Sequence, residues 1–136
     1  MADLAQTGRV TDAAQILTAD ARARLTTRLE ELELKTRHQM IIVTVPTLNG
    51  LDVAEVADQL GNRWHIGRVG YDDGVVLLVA PTERRVRISV ADGLSAELTD
   101  EICQQIIDGA MLPRFRAGDL PGGIAAGTEA ILARLI

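Results

Sequence analysis

The chain alternates between stretches whose apolar residues recur at helical spacing and short runs in which apolar residues are continuous. Between residues 18 and 37, Leu25, Leu29 and Leu32 fall on one helical face, and most charged residues lie elsewhere. This spacing predicts a surface helix that begins at Thr18, because a threonine hydroxyl can accept a hydrogen bond from the first turn.

Two apolar runs, residues 40–45 and 75–80, lack the alternation of a half-exposed strand and predict strands buried on both faces. The segment between them predicts a second helix, because it begins with the capping residue Asp52 and places Val56 and Leu60 at core spacing. Strand, helix and strand in this order predict parallel strands joined by a right-handed crossover.

A third strand is predicted at residues 86–90, where apolar and polar residues alternate after a short polar turn. The short connection favours a hairpin, which makes this strand antiparallel to the second. If paired residue numbers sum to about 166, Val76 faces Val90 and Gly74 faces Asp92.

Two further helices complete the pattern. One is predicted to begin at Thr99 or Asp100 and to stop at Pro113, and the last to be capped by Asp119 ahead of Pro121. The order helix, strand, helix, strand, strand, helix, helix predicts the α/β class. We expect a three-layer α/β/α sandwich with a small mixed sheet, a βαβ crossover plus an antiparallel hairpin, and helices on both faces.

Composition limits the functions open to the chain. Its 136 residues suit one domain, and a net charge of −5 argues against a nucleic-acid partner, which would require clustered cations. The single cysteine, Cys103, excludes an intramolecular disulfide and lies in an apolar helical context, which predicts a buried side chain. The chain has no glycine-rich phosphate loop, so no organic cofactor is expected.

Carboxylates gather at one end of the predicted hairpin. Asp72 and Asp73 precede its first strand, Asp92 follows its second, and Glu97 and Asp100 come soon after. A hard divalent cation such as Ca²⁺ or Mg²⁺ would relieve their mutual repulsion through oxygen ligands. Aspartate also favours turns and helix starts, so a metal site and a purely structural role both remain open.

The other end of the hairpin is basic, with Arg84, Arg85 and Arg87. Guanidinium groups bind phosphate or carboxylate, so an anion site is one interpretation, and a charged guard on an edge strand is the other. Neither histidine lies in a zinc-binding spacing, and Gly109 occupies the position where a Cys-x₅-Arg phosphatase loop would require arginine. These patterns alone do not indicate an enzyme.

Taken together, several segments resemble the TPM domain family over about residues 7 to 134. The segments that carry the resemblance are "TGRVTDAAQIL", "HQMIIVTVPTLNG", "LGNRWHIGR", "DDGVVLLVAPTERRVRISVADGLSAELTD" and "PRFRAGDLPGGIAAGTEAI". The family includes thylakoid-lumen proteins linked to photosystem II repair and bacterial exported or membrane-tethered proteins. The resemblance implies one α/β/α domain at residues 7–136, after a disordered remnant at residues 1–6.

The resemblance also implies a setting and a function. Relatives usually carry a signal peptide before this domain and often a membrane anchor after it. We therefore expect an extracytoplasmic domain, periplasmic or on the outer face of the inner membrane, which is itself soluble but belongs to a membrane-tethered protein. The implied function is an accessory or binding domain that supports assembly, maintenance or regulation of a membrane protein complex. The alternative is a metal-dependent acid phosphatase acting on phosphomonoesters.

Family members bind divalent metal through acidic loop residues, which here correspond to Asp72 and Asp73 and to the acids of "ADGLSAELTD". Asp12 in "GRVTDAA" also matches a family position. Its carboxylate could bind either the chain's own loop or an arginine.

Overall fold

The computed structural model describes residues 5–136, so the first four residues of the predicted disordered segment 1–6 lie outside it. The described chain forms four strands, five α-helices and two short helical turns. In chain order the elements are β1 (Val10–Asp12), α1 (Ala19–Thr36), β2 (Gln39–Thr44), α2 (Val53–Arg63), β3 (Gly74–Ala80), β4 (Arg85–Val90), a 3₁₀ turn (Asp92–Leu94), α3 (Asp100–Ile106), a π-helical turn (Ile107–Met111), α4 (Leu112–Arg116) and α5 (Leu120–Leu135).

The strands form one mixed sheet in the order β1-β2-β3-β4, with helices on both faces, which confirms the predicted fold class. β1, β2 and β3 are parallel, and β4 is antiparallel to β3. Val90 pairs with Val75 rather than with Val76, so the predicted hairpin register was wrong by one residue. The pattern also missed β1, because three residues are too few to show a strand period.

Two hydrophobic layers enclose the sheet because side chains alternate between its faces. Leu77 belongs to the larger layer, which α1, α3 and α5 cover, and the neighbouring Leu78 belongs to the smaller layer beneath α2. Trp64, the only tryptophan in the chain, packs against the smaller layer. Every residue of β3 is buried, as expected for a strand covered on both faces.

The two crossovers of the sheet have opposite hands. β1, β2 and β3 follow one another in the same direction across the sheet, yet α1 covers one face and α2 the other. Two successive crossovers of the same hand would place both helices on one face. The chain therefore turns toward one face of the sheet after β1 and toward the opposite face after β2.

Four of the helices begin at capping residues that the sequence predicted. Thr18, Asp52, Thr99 and Asp119 each accept a hydrogen bond from a backbone N–H in the first turn of the following helix. These bonds satisfy donors that the helix itself cannot pair.

Pro113 does not end the third helix, and this prediction was wrong. A π-helical turn follows α3, and the Leu112 N–H donates to the carbonyl of Ile107, five residues earlier. Pro113 then lies at the beginning of α4, where its missing N–H removes no helical bond. The chain therefore stays helical past the proline, because the wider π-helical turn precedes it.

Cys103 is buried in the larger layer, as the sequence predicted. Burial raises the pKa of its thiol, and the nearby Asp100 charge adds to the increase. No helix in residues 5–136 combines the length and the hydropathy that a membrane span requires.

Candidate functional site at the acidic edge of the sheet

Asp73, directly before β3, is a buried carboxylate that holds the preceding loop. Only 2% of it is exposed. Its Oδ1 accepts a hydrogen bond from the backbone N–H of Arg68 (2.7 Å), and its Oδ2 accepts one from Nε of the same arginine (2.8 Å). His38, at the entrance to β2, brings Nδ1 to 3.1 Å from Oδ2. Asp73 thus joins two segments of the chain at the entrance to the sheet.

The charge state of Asp73 follows from these contacts. Burial alone would raise the pKa of the carboxyl group. The hydrogen bonds from the Arg68 N–H, from His38 and from the Arg68 side chain, together with the guanidinium charge, outweigh burial and hold the pKa below its ordinary value. Asp73 is therefore a carboxylate at neutral pH, with Arg68 as its ion-pair partner.

The loop anchored by Asp73 presents apolar side chains to solvent. The Arg68 guanidinium lies 3.9 Å from the centre of the Tyr71 ring, and the Tyr71 N–H donates to the Arg68 carbonyl. Even so, 61% of Tyr71 and 99% of Val69 are exposed. We call residues 67–72 the anchored loop.

Glycine at position 74 lets the chain before the anchored loop pass close to β3. A Cβ atom on Gly74 would lie 2.5 Å from the carbonyl oxygen of Ile66, which no side chain tolerates. Gly67 then donates its N–H to Oε1 of Gln39 (2.8 Å), at the beginning of β2. The loop is therefore fixed to both central strands.

Asp72 differs from its neighbour because its backbone, rather than its carboxylate, makes the structural contact. Its φ of +48° lies in the left-handed region, and its carbonyl accepts the N–H of Gly93 (2.8 Å). This bond joins the segment before β3 to the segment after β4, as the hairpin prediction required. Asp72 and Asp92 line a shallow cleft of about 380 Å³ together with Asp58 of α2, and we call it the acidic cleft. Oδ1 of Asp58 accepts a hydrogen bond from the Ser89 hydroxyl.

The five predicted metal ligands do not come together. Asp73 is bound by Arg68 and His38, and Glu97 and Asp100 are exposed outside the cleft that Asp72 and Asp92 share. Within residues 5–136, no group of three or more Asp, Glu, His or Cys side chains is placed to hold a metal ion. The five-ligand cation site therefore stays a prediction that this arrangement does not favour.

The three predicted anion-binding arginines also separate. Arg84 lies in the turn between β3 and β4. Arg85 pairs with Ala80 and Arg87 with Leu78, and the side chains of both partners belong to the layer under α2. Arg85 and Arg87 therefore lie on the α2 face of the edge strand β4, whereas Arg84 lies in the turn before it.

Asp12 binds the chain's own loop, the first of the two roles considered for it. Its Oδ2 accepts the Leu17 N–H (2.9 Å), and its Oδ1 accepts the Thr44 hydroxyl (2.7 Å). The carboxylate therefore bridges the ends of β1 and β2, where the chain turns toward opposite faces of the sheet.

Comparisons with known proteins agree with this architecture. A protein-family model described as the TPM domain matches residues 10–134. The solution structure of the N-terminal domain of a P. gingivalis protein has a TM-score of 0.88 and 27% identity, covering 95% of this chain and 82% of that one. The N-terminal domain of cg2496 from Corynebacterium glutamicum has a TM-score of 0.73 at 15% identity, covering 100% and 86%. The BA42 protein from Bizionia argentinensis has a TM-score of 0.74 at 18% identity, covering 89% and 82%. A search of curated proteins gave no match.

Proposed function

Because this chain belongs to the TPM domain family, we propose that it is an extracytoplasmic accessory domain that binds a membrane protein complex and supports its assembly, maintenance or regulation. One observation carries the binding role: the buried Asp73 holds the anchored loop, which presents Val69 and Tyr71 to solvent.

The anchored loop has the properties of a contact surface. A loop that is already held in place loses little conformational entropy when it binds a partner. Its exposed aromatic side chain, Tyr71, is of the kind that anchors protein interfaces when a partner buries it. The bonds from Arg68 to Asp73 and from Gly67 to Gln39 supply this rigidity at the base of the loop.

Family membership supports the membrane setting, and two solved relatives show that such a domain can be the first part of a longer protein. The structures from P. gingivalis and C. glutamicum are each described as the N-terminal domain of a protein. A domain of this kind that belongs to a tethered protein would be held beside membrane proteins, where the anchored loop could reach a partner. We propose the same arrangement for this chain.

The geometry favours binding over the alternative of a metal-dependent phosphatase. Such an enzyme needs carboxylates that hold a cation and a positive group free to bind the transferring phosphate. At this edge Arg68 could supply the positive group, but it is already paired with Asp73. The phosphatase hypothesis stays a prediction without a specific contact in its favour.

Photocrosslinking in the native host tests the proposal. A photoreactive amino acid placed at Val69 of the full-length protein should give an adduct with a membrane protein, because this side chain is 99% exposed at the tip of the anchored loop. The matched control is Leu34 of α1, another aliphatic side chain, which is 84% exposed but lies outside the loop. Adducts are identified by mass spectrometry after membrane solubilisation.

The contrast between the two positions decides the outcome. A membrane-protein adduct obtained from position 69 and absent from position 34 supports the proposal. Identical adducts from both positions, or adducts only with cytoplasmic proteins, would contradict it.

A further inference from the structure

A second concave surface lies beside the turn that joins β3 to β4. It is a pocket of about 480 Å³, within the range of roughly 300–1,000 Å³ that small-molecule sites occupy. Its apolar lining residues are Val79, Ala80, Pro81, Val86, Leu112, Phe115 and Leu120. It lies at the C-terminal end of β3, the end of a parallel strand at which α/β sheets usually bind ligands. The acidic edge lies at the opposite end of the same strand.

Two arginines from different elements border this apolar pocket. Arg84 comes from the hairpin turn and Arg116 from the last position of α4. Among the described residues, neither forms an ion pair, whereas Arg28 and Arg68 are both paired with carboxylates. Arg85 also lines the pocket, but its pairing with Ala80 turns its side chain toward the α2 face.

The acids closest in sequence to these arginines are engaged elsewhere. Glu83 accepts hydrogen bonds from the Thr47 hydroxyl (2.6 Å) and the Leu48 N–H (2.8 Å) with its Oε2, and these bonds hold the pKa of its carboxyl group below the ordinary value. Asp119 caps α5, where its Oδ1 accepts the Gly122 N–H (2.9 Å). Although the chain has a net charge of −5, the residues of the described range 5–136 that line this pocket include arginines and no acidic residue, so its rim is positive.

We propose that this pocket binds a small amphiphilic anion, with a carboxylate or phosphate group held by Arg84 and Arg116 and an apolar body packed against the Phe115 side. Guanidinium groups form strong, directional hydrogen bonds with both anions. The apolar lining supplies the affinity that exposed ion pairs in water do not supply alone. The proposal does not depend on the accessory function.

Titration of ¹⁵N-labelled protein with defined probes tests it. Octanoate and octyl phosphate, each below its micellar concentration, should give saturable shifts at residues 84–86 and 112–120. Each should bind at least about tenfold more tightly than acetate or inorganic phosphate, because the alkyl chain is removed from water. Comparing the two alkyl probes identifies which headgroup the pocket prefers.

Single substitutions assign the charge contribution. Arg84→Gln and Arg116→Gln should each weaken octanoate or octyl phosphate binding about tenfold, since each removes a charge-assisted hydrogen bond. Arg114→Gln is the matched control, because Arg114 lies on the same short helix and does not line the pocket.

Several results would overturn the proposal. Absence of saturable shifts at the pocket with both alkyl probes would exclude the site. Octanol binding as tightly as octanoate would show that the arginines hold no anion, and acetate binding as tightly as octanoate would show that the apolar lining is unused. An equal loss in Arg114→Gln and Arg116→Gln would indicate general charge attraction instead of a site.

Discussion

Asp72 and Asp73 are chemically identical neighbours whose carboxylates have different surroundings. Asp73 is buried and accepts hydrogen bonds from Arg68 and His38, whereas Asp72 contributes its backbone carbonyl to the Gly93 N–H and leaves its carboxylate at an open cleft. The two carboxylates therefore have separate roles in the fold. One member holds the anchored loop, and the other borders the acidic cleft.

Replacing Asp73 tests this division of roles. Asp73→Asn should lower the free energy of unfolding by about 2–3 kcal/mol, because it removes the charge to which Arg68 and His38 donate in a buried setting. Asp72→Asn is the matched control and should change it by less than about 0.5 kcal/mol, since asparagine tolerates a positive φ. Urea unfolding followed by far-ultraviolet circular dichroism measures both, and equal losses would contradict the assignment.

The loss of unfolding free energy in Asp73→Asn should depend on pH. The pKa of Asp73 is lowered in the folded state, relative to about 3.9 for an unfolded aspartate. Its stabilisation is therefore complete above about pH 5 and is lost as the pH falls through the folded-state pKa. The difference between wild type and Asp73→Asn should shrink as the pH falls from about 5 to below about 4. A difference that grows as the pH falls below about 5 would have the wrong sign.

The partners of Asp73 show why the site was harder to predict than the fold. The sequence placed two acids at a strand entrance, which is correct, but His38 lies 35 positions away along the chain. Arg68 is close in sequence, yet only the fold determines that it turns toward the carboxylate rather than toward solvent. The clustering of carboxylates in the sequence suggested that a metal cation balances their charge. For Asp73, the balancing positive group is the guanidinium of Arg68.

Helices and strands with strong local signals were predictable. Capping residues and core spacing gave α1, α2 and α5, and continuous apolar runs gave β2 and β3. Elements that depend on distant contacts were not. β1 has three residues and is defined by pairing with β2, 32 positions away at Val10 and Ile42. The π-helical turn before Pro113 has no sequence period by which it could be recognised.

The few carboxylates at the start of β3 and after the end of β4 predict weak binding of divalent cations. Only Asp72 and Asp92 of the five predicted ligands line the acidic cleft. In a titration of labelled protein with Ca²⁺ or Mg²⁺, we expect shifts at these two residues with about millimolar affinity, since so few carboxylates give weak sites. Asp73, Glu97 and Asp100 should stay unchanged, and saturable micromolar binding that includes Glu97 and Asp100 would restore the five-ligand site.

The layers of the molecule are held mainly by apolar packing rather than by surface ion pairs. α5 places Ile131 fully inside the larger layer, and two residues earlier Glu129 accepts two hydrogen bonds from Arg28 of α1. The ion pair joins the first and last helices, but it is substantially exposed. Such a pair contributes less than about 1 kcal/mol in water.

Substitutions on α5 separate the two contributions. Ile131→Ala should lower the free energy of unfolding by about 2–5 kcal/mol through lost burial and an unfilled cavity. Glu129→Gln should lower it by less than about 1 kcal/mol. Chemical denaturation at low and high salt measures both, with only the Glu129 effect expected to fall as salt rises. A loss in Glu129→Gln that equals the loss in Ile131→Ala would contradict this order.

The placement of Trp64 has an optical consequence. The chain has one indole, and it packs only against the smaller layer beneath α2. Intrinsic fluorescence excited at the red edge of protein absorption therefore reports on α2 and its face of the sheet. The larger layer, with α1, α3 and α5, emits no indole signal of its own, so the molecule carries a native fluorophore for one of its two layers.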